Sequence, residues 1–439
     1  MIGHTFGALP GRHISAQEIT QLEVHARGGN AHAQYLLSAA FRRAGRKEES
    51  RVWLARAAAG GYGDAICTQA TIALKGVDGV VDLPLAERAL REALAKGSRT
   101  AGRLLAVMLA TGGNAEPDWQ SGVALIVDGA LGDDPASLRQ LALLVEMASP
   151  GDPFSATCLL KAARANDAFA AFALLRRASQ GCASARADEL VKWSAALKAR
   201  RHPLAHQVMH DAGVSEAIWV ERDRAALIDL LKSLPGMALR EVVSLSERPR
   251  VRRVDGLLTR EECDYVIGVA APQLHPSSVT NPETGAAMQH PERTSNDALL
   301  VPYESDIVIH AINLRLAAAA GLPSENGELL SVLRYERGQE YRPHVDFFGE
   351  RNEEAAQFET AGQRIRTLLV YLNDDYEGGA TNFIRGGFSV RGRAGDAVLF
   401  DNVGDDGKGD PSSLHAGLPV TSGAKWIISK WFRERAYRI

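Results

Sequence analysis

Small residues recur at a nearly constant interval through the first half of the chain, and this limits the possible folds more than any other feature. AHAQYLL centres on Ala33, GDAICTQ on Ala65, SRTAGRLL on Ala101, DDPASLRQLA on Ala136 and DAFAAFALL on Ala170, at steps of 32, 36, 35 and 34 residues. Helix-like runs ending in small residues (LARAAAGGY, LREALAKGS, LIVDGALGDD) stand between these centres. Ala and Leu, the strongest helix formers, dominate throughout. A helical hairpin of this length cannot bury its own apolar face, so such units stack on one another as an α-solenoid. An irregular Ala-rich helical bundle is the alternative. Residues 185–240 still read as helical, in ADELVKWSAALKA and WVERDRAALIDLLKSL, and suit a capping or bridging segment.

The composition changes near residue 240. SERPRVRRVDG, with its Pro and charge cluster, marks a boundary. Beyond it come apolar runs of strand length: ELLSVLRYE, RTLLVYLND, TNFIRGGFSV, DAVLFDNV and AKWIISKWF. Several alternate at period 2 with Gly, Asn and Asp between them. This spacing predicts an antiparallel sheet folded on itself as a sandwich or jelly roll. Two helices interrupt the pattern. In LTREECDYVIGVAA, Thr259 precedes Glu262 by three, a capping box ahead of an apolar face. SDIVIHAINLRLAAAAGL is the second.

The chain has 439 residues, enough for two or three domains. With 50 basic and 53 acidic residues, it lacks the basic excess of a nucleic-acid-binding protein. No apolar run reaches the 18 or so residues of a spanning helix. The start, MIGHTFGALPGRHISAQE, lacks the pattern of a secretory signal, so a cytoplasmic location is expected. Cys67, Cys158, Cys182 and Cys263 are far apart and suggest neither a zinc cage nor a disulfide framework.

The chemistry-bearing residues lie in the strand-rich half. In YERGQEYRPHVDFF, His344 and Asp346 are two apart. On a strand both would point to one face and could share a metal ion. His415 lies 71 residues further on, in DPSSLHAGLPV. Two His and one carboxylate with open positions form the facial triad of non-haem Fe(II) oxygenases. Alone, however, His-x-Asp is a weak signal, and a surface His beside a turn-capping Asp reads the same way. Ten residues after His415 comes Lys425. Period 2 would put Lys425, Ile427, Ser429 and Trp431 on one face of a strand, and Trp426, Ile428, Lys430 and Phe432 on the other. An inward Lys needs a carboxylate partner. If the other face were the buried one, Lys430 would instead cap an edge.

Residues 250–435 resemble the catalytic domain of the prolyl 4-hydroxylase family of Fe(II)/2-oxoglutarate dioxygenases. The pieces run in family order: VDGLLTREECDYVI, ERTS, YERGQEYRPHVDFF, RTLLVYLNDDYEGGATNF, GDAVLFDN and LHAGLPVTSGAKWIISKWF. The helical half resembles Sel1-like repeats, relatives of the tetratricopeptide class, over residues 18–180. The fold implied is multidomain. An N-terminal all-α solenoid of helical hairpin repeats (1–184) is followed by a helical linker or cap (185–240). A C-terminal double-stranded β-helix, or jelly roll, with flanking helices then occupies 241–439.

The resemblance also implies roles. His344, Asp346 and His415 would bind iron, and Lys425 the distal carboxylate of 2-oxoglutarate, assisted by Tyr335. Thr381, and Ser429 on the Lys425 face, would line the cosubstrate pocket. Trp431 and Tyr341 would face the substrate and the iron, and Arg364 would contact the substrate. Plain structural roles stay open: Tyr335 and Trp431 as core aromatics, Thr381 as a strand former, Arg364 as a strand-edge charge with Arg366 the functional one. Asp346 retains the carboxylate that related halogenases lack, which favours hydroxylation. The expected cofactor is Fe(II), with 2-oxoglutarate and O2 as cosubstrates and L-ascorbate as an accessory reductant. Succinate and CO2 would be released. The expected substrate is a prolyl residue in a protein or peptide docked by the repeats. A free amino acid or small metabolite is the alternative, and a non-catalytic scaffold a further one. No nucleic acid or membrane partner is expected. The stretches at 276–292 and 347–362 are long polar loops beside the site, and the first suits a lid.

Overall fold

Between Ala16 and Arg164 the chain alternates helices of 12 to 14 residues with short turns. The computed structural model describes residues 16–77, 81–181, 185–200, 202–205, 219–236, 241–280, 287–289, 293–302, 305–349 and 360–437. The chain divides into two compact units. One comprises Met1–Asp167, Ile218–Lys232 and Pro302–His310; the other comprises Ala168–Ala217, Ser233–Val301 and Ala311–Ile439.

In the first unit successive helices pair as antiparallel hairpins. The recurrent alanines fall in the first turns of Ala31–Arg43, Gly63–Lys75, Arg99–Thr111 and Pro135–Ala148. Ala33, Ala65 and Ala101 are buried and Ala136 is half-buried. Small residues are required because neighbouring backbones come close: a Cβ at Gly63 would lie 3.0 Å from the carbonyl oxygens of Ala93 and Lys96. Helix starts are satisfied by the side chains of Asn30, Asp82, Ser98, Asp118, Asp134 and Asp152, each accepting from a backbone N–H. Some of these caps also tie one hairpin to the next. Ser98 donates to Asp64 at 2.6 Å, and Arg103 pairs with Asp134 at 2.5 Å. These contacts repeat along the array, as a stacked solenoid requires.

The second unit is built on two antiparallel sheets. The larger has the strand order Val242–Glu247, Arg250–Val254, Ala397–Asp401, Arg364–Tyr371, Lys425–Arg433, Leu330–Tyr335, Asn296–Leu300, His275–Pro276. The smaller runs Phe388–Val390, Thr381–Phe383, His415–Gly417, Tyr341–His344. Side chains of both sheets, among them Val251, Leu333, Phe383, Val390, Phe400 and Ile427, meet in one apolar cluster. This is the jelly roll that the strand spacing predicts. Strand Lys425–Arg433 is central, and it is buried along almost its whole length on both faces.

Helix Arg260–Ala270 starts with the predicted capping box. Thr259 Oγ1 accepts from Glu262 N at 3.2 Å, and Glu262 accepts from Thr259 N at 2.7 Å. Helix Ala168–Ser179, which carries the fifth recurrent alanine, packs on it. Arg176 pairs with the buried Asp264 at 3.0 Å and Arg177 with Glu261 at 2.9 Å, while Phe169 meets Tyr265 edge to face at 4.8 Å. Helix Ala187–Ala199 also lies in this unit, whereas Arg224–Leu231 lies in the first. Strands Ser278–Thr280 and Ala287–Gln289 form a small hairpin. The remainder of the expected lid (281–286 and 290–292), and residues 350–359 of the 347–362 segment, lie outside the described residues. Among the described residues, no helix is long and apolar enough to cross a membrane.

Candidate metal centre

His344 and His415 face each other across neighbouring strands of the smaller sheet, paired in register, with ring centroids 4.2 Å apart. The strand ends at His344. The period-2 argument therefore holds for His344 alone: Asp346 lies in the bend that follows and is brought back to the site by the turn. Its carboxylate stands 3.5 Å from His344 Nε2 and 3.8 Å from His415 Nε2. One ligand atom from each residue falls within 4.8 Å of the others, and among the described residues no other group of three candidate ligands does so.

The surroundings fix how these groups present themselves. His344 Nδ1 donates to the Arg342 carbonyl at 2.7 Å, and His415 Nδ1 to the Ser413 carbonyl at 2.9 Å. A carbonyl can only accept, so both imidazoles keep the lone pair on Nε2, which points to the shared centre. Thr367 donates to Asp346 Oδ2 at 2.7 Å, and Asn402 in turn donates to Thr367 at 2.9 Å. Thr367 lies on an interior strand of the larger sheet, so the bend is tied to that sheet. Burial, then the charge of His415, pushes the His344 pKa down to about 4 and holds the ring neutral. Burial pushes Asp346 upward, but the two imidazoles and the Thr367 hydrogen bond outweigh it and leave the carboxyl below its usual range. Neutral imidazoles and an ionised carboxylate are the forms a divalent metal binds. Three protein donors gathered on one side suit Fe(II) and leave coordination positions open.

The centre opens into a cavity between the two sheets. Tyr335, Tyr341, Thr381, Lys425, Ser429 and Trp431 all line it together with the three ligands. Lys425 is 4% exposed, and its Nζ donates to the Gly379 carbonyl at 2.7 Å. Gly379 has φ of +64°, and a Cβ there would meet the Lys425 chain at 3.2 Å, which accounts for the glycine pair in the motif. Burial, then the Arg391 charge, lowers the Lys425 pKa to about 7. Among the described residues no carboxylate pairs with it. Tyr335 is its direct cross-strand partner, and its hydroxyl is pushed up to about 12, chiefly by burial. Thr381 Oγ1 and the Tyr371 hydroxyl are 3.1 Å apart.

Tyr341 stacks on His344 with centroids 3.4 Å apart. Trp431 presents a buried indole N–H with no hydrogen-bond partner among the described residues. Arg364 is not among the cavity-lining residues. Its guanidinium is held by Glu328 through two hydrogen bonds of 2.6 and 2.7 Å and stacks over the Trp431 ring at 4.2 Å. Arg366 points elsewhere and pairs with Asp401. Arg293, in the ERTS string, lines the cavity and lies 5.6 Å over the Tyr341 ring, although sequence reasoning did not single it out. Thr367 and Asn402 were missed as well. The three lie in ERTS, RTLLVYLND and GDAVLFDN, but none of these strings says which side chain faces inward.

Residues 330–433 match the 2OG-Fe(II) oxygenase superfamily. Prolyl 4-hydroxylase 1 of Arabidopsis thaliana is 41% identical over 210 residues, which cover 45% of this chain and 72% of that protein. The chain belongs to the prolyl 4-hydroxylase family. Probable prolyl 4-hydroxylase 3 of the same plant is 38% identical over 216 residues, covering 44% of this chain and 73% of its own. As a member of this family, the protein is a 2-oxoglutarate-dependent dioxygenase that uses Fe(II), 2-oxoglutarate and O2. Among solved structures, the viral collagen prolyl hydroxylase of Paramecium Bursaria Chlorella virus-1 aligns with a TM-score of 0.34 and 29% identity, over 42% of this chain and 95% of that one. A Sel1 repeat protein from Oxalobacter formigenes aligns with a TM-score of 0.35 and 18% identity, over 42% of this chain and 79% of its own.

Proposed function

We propose that the protein hydroxylates a prolyl residue of a protein or peptide, with 2-oxoglutarate converted to succinate and CO2. One observation carries this reading: a buried lysine without a carboxylate partner faces the same cavity as the His–Asp–His set. Burying an unpaired ammonium is unfavourable. The distal carboxylate of 2-oxoglutarate supplies the missing partner, with the other end of the molecule left to reach the metal.

In this reading His344, Asp346 and His415 hold the iron. Bound iron, together with the 2-oxoacid, supplies the oxygen activation needed to hydroxylate an unreactive carbon. The chain's own residues bind and orient. Lys425 and Tyr335 anchor the cosubstrate carboxylate, and Thr381 and Ser429 shape the pocket around it. Tyr341 and Trp431 form the apolar walls on the substrate side, and the unpartnered indole N–H offers a donor to a peptide carbonyl. Arg364 acts through Trp431, holding the ring in place from its seat on Glu328. The apolar walls exclude water from the centre. L-Ascorbate would serve as accessory reductant.

The helical hairpins would dock the protein substrate on an extended face. The corresponding domains are 1–184, a linker over 185–240, and a catalytic domain over 241–439. The test is succinate release, measured against proline-containing peptides, intact proteins and free amino acids. Peptide- or protein-dependent release with hydroxyproline in the product is the expected result. Release driven only by a free amino acid overturns the peptide reading, and failure to bind both iron and 2-oxoglutarate overturns the enzyme.

A further inference from the structure

We propose that Arg250, Arg252 and Arg366 form a binding site for a phosphate group, on the face of the larger sheet turned away from the catalytic cavity. The register fixes the face. Arg252 pairs across the strands with Leu399, Leu399 with Leu368, and Leu368 with Lys430. Leu368 and Lys430 alternate with Leu369 and Ser429, which line the cavity, so the arginine row lies on the opposite side.

Three guanidiniums share one buried carboxylate there. Asp401 Oδ1 accepts from Arg252 at 2.6 Å and from Arg366 at 2.7 Å, and its Oδ2 lies 3.1 Å from Arg250. One carboxylate thus faces three cations. The second acid, Asp405, is 93% exposed on its side chain and among the described residues reaches only Arg250, at 2.8 Å. Arg366 spends one further N–H on the Ala320 carbonyl at the end of a helix. Among the described residues the buried Nε–H of Arg252 has no hydrogen-bond partner, while its side chain is 31% exposed. A buried charged donor without an acceptor is costly, and the charge surplus beside it favours an anion. Guanidinium forks match phosphate oxygens, and a dianion offsets two cations where a carboxylate offsets one.

The test uses the full chain with inorganic phosphate as probe, at constant ionic strength and with 2-oxoglutarate saturating so that Lys425 is occupied. A saturable rise in melting temperature is expected. Its midpoint should move at least tenfold in Arg252→Gln and be partly restored in Arg252→Lys. Turnover without phosphate should be unchanged in both variants. Phosphate binding should also survive Lys425→Met, which separates this site from the catalytic one. Adenosine 5′-monophosphate binding more tightly than phosphate would mean that the site takes an ester, and equal binding that it takes the free ion. A response no larger than that to chloride overturns the proposal, as does full phosphate binding by Arg252→Gln.

Discussion

Lys425 and Lys430 lie on one strand, both are buried, and burial brings both to a pKa of about 7, yet the two faces of the strand treat them differently. On the outer face Lys430 donates to the Glu328 backbone carbonyl, and the Glu328 carboxylate works against the burial penalty. On the cavity face the largest influence on Lys425, after burial, is another cation, Arg391. The protein thus supplies the counter-charge on one side and withholds it on the other. A buried cation completed internally is part of the fold. One left incomplete is a receptor for what is missing.

The sharpest way to break this comparison is to remove the centre it serves. Asp346→Ala should abolish Fe(II) binding and 2-oxoglutarate decarboxylation, because three protein ligands leave no redundancy; normal decarboxylation by the variant would show that the centre lies elsewhere. Next in size is the contrast itself. Lys425→Met should raise the KM for 2-oxoglutarate by about two to three decades, the equivalent of roughly 3–5 kcal/mol for an orphaned buried charge. Iron binding should be spared. Lys430→Met should lower the melting temperature and leave that KM alone. Equal KM effects from the two variants would erase the distinction.

The pH dependence sharpens it further. The Lys425 pKa is about 7 without ligand, and a bound carboxylate raises it, so binding takes up a proton above that pH. The KM for 2-oxoglutarate should be flat below about pH 7 and rise by up to tenfold per unit above it, until the pKa of the complex is reached. A flat profile from pH 6 to 9 would mean that Lys425 enters the reaction already fully charged. The smallest effect concerns support from outside the sheets. A fragment beginning at Glu241 loses Arg176 from the buried Asp264 and Arg177 from Glu261. It should melt below a fragment beginning at Asn166, by roughly 2–4 °C for each of about 1–3 kcal/mol lost. Identical melting would make the Ala168–Ser179 helix a passenger.

Much of this was legible because strand and hairpin patterns are local. The helix phases around Ala33, Ala65 and Ala101, the Thr259–Glu262 cap and the period-2 face carrying Lys425 all follow from neighbours in sequence. The departures come from long-range pairing. Nothing around His344 shows that the strand stops there, because Asp346 is held by Thr367, 21 residues away. Arg364 reads as a substrate contact until Glu328, 36 residues earlier, takes both prongs of its guanidinium. Helix Ala168–Ser179 looks like one more repeat, since its partners Glu261 and Asp264 lie 84 and 88 residues beyond Arg177 and Arg176. Which face of a strand is turned inward can be read from alternation; which distant side chain meets it cannot.

The in-register pairing of His344 with His415 has a bearing on how the protein comes into being. Two of the three donors stand opposite one another only after a loop of about 70 residues has closed and the smaller sheet has zipped. Before then the chain has scattered imidazoles and no chelate. Metal capture is therefore a late event in maturation, and it acts as a ratchet: an ion that binds only the closed sheet draws the population toward it by mass action. Protein made under iron starvation should then show a looser, more protease-sensitive smaller sheet than the iron-loaded protein, alongside its loss of catalysis.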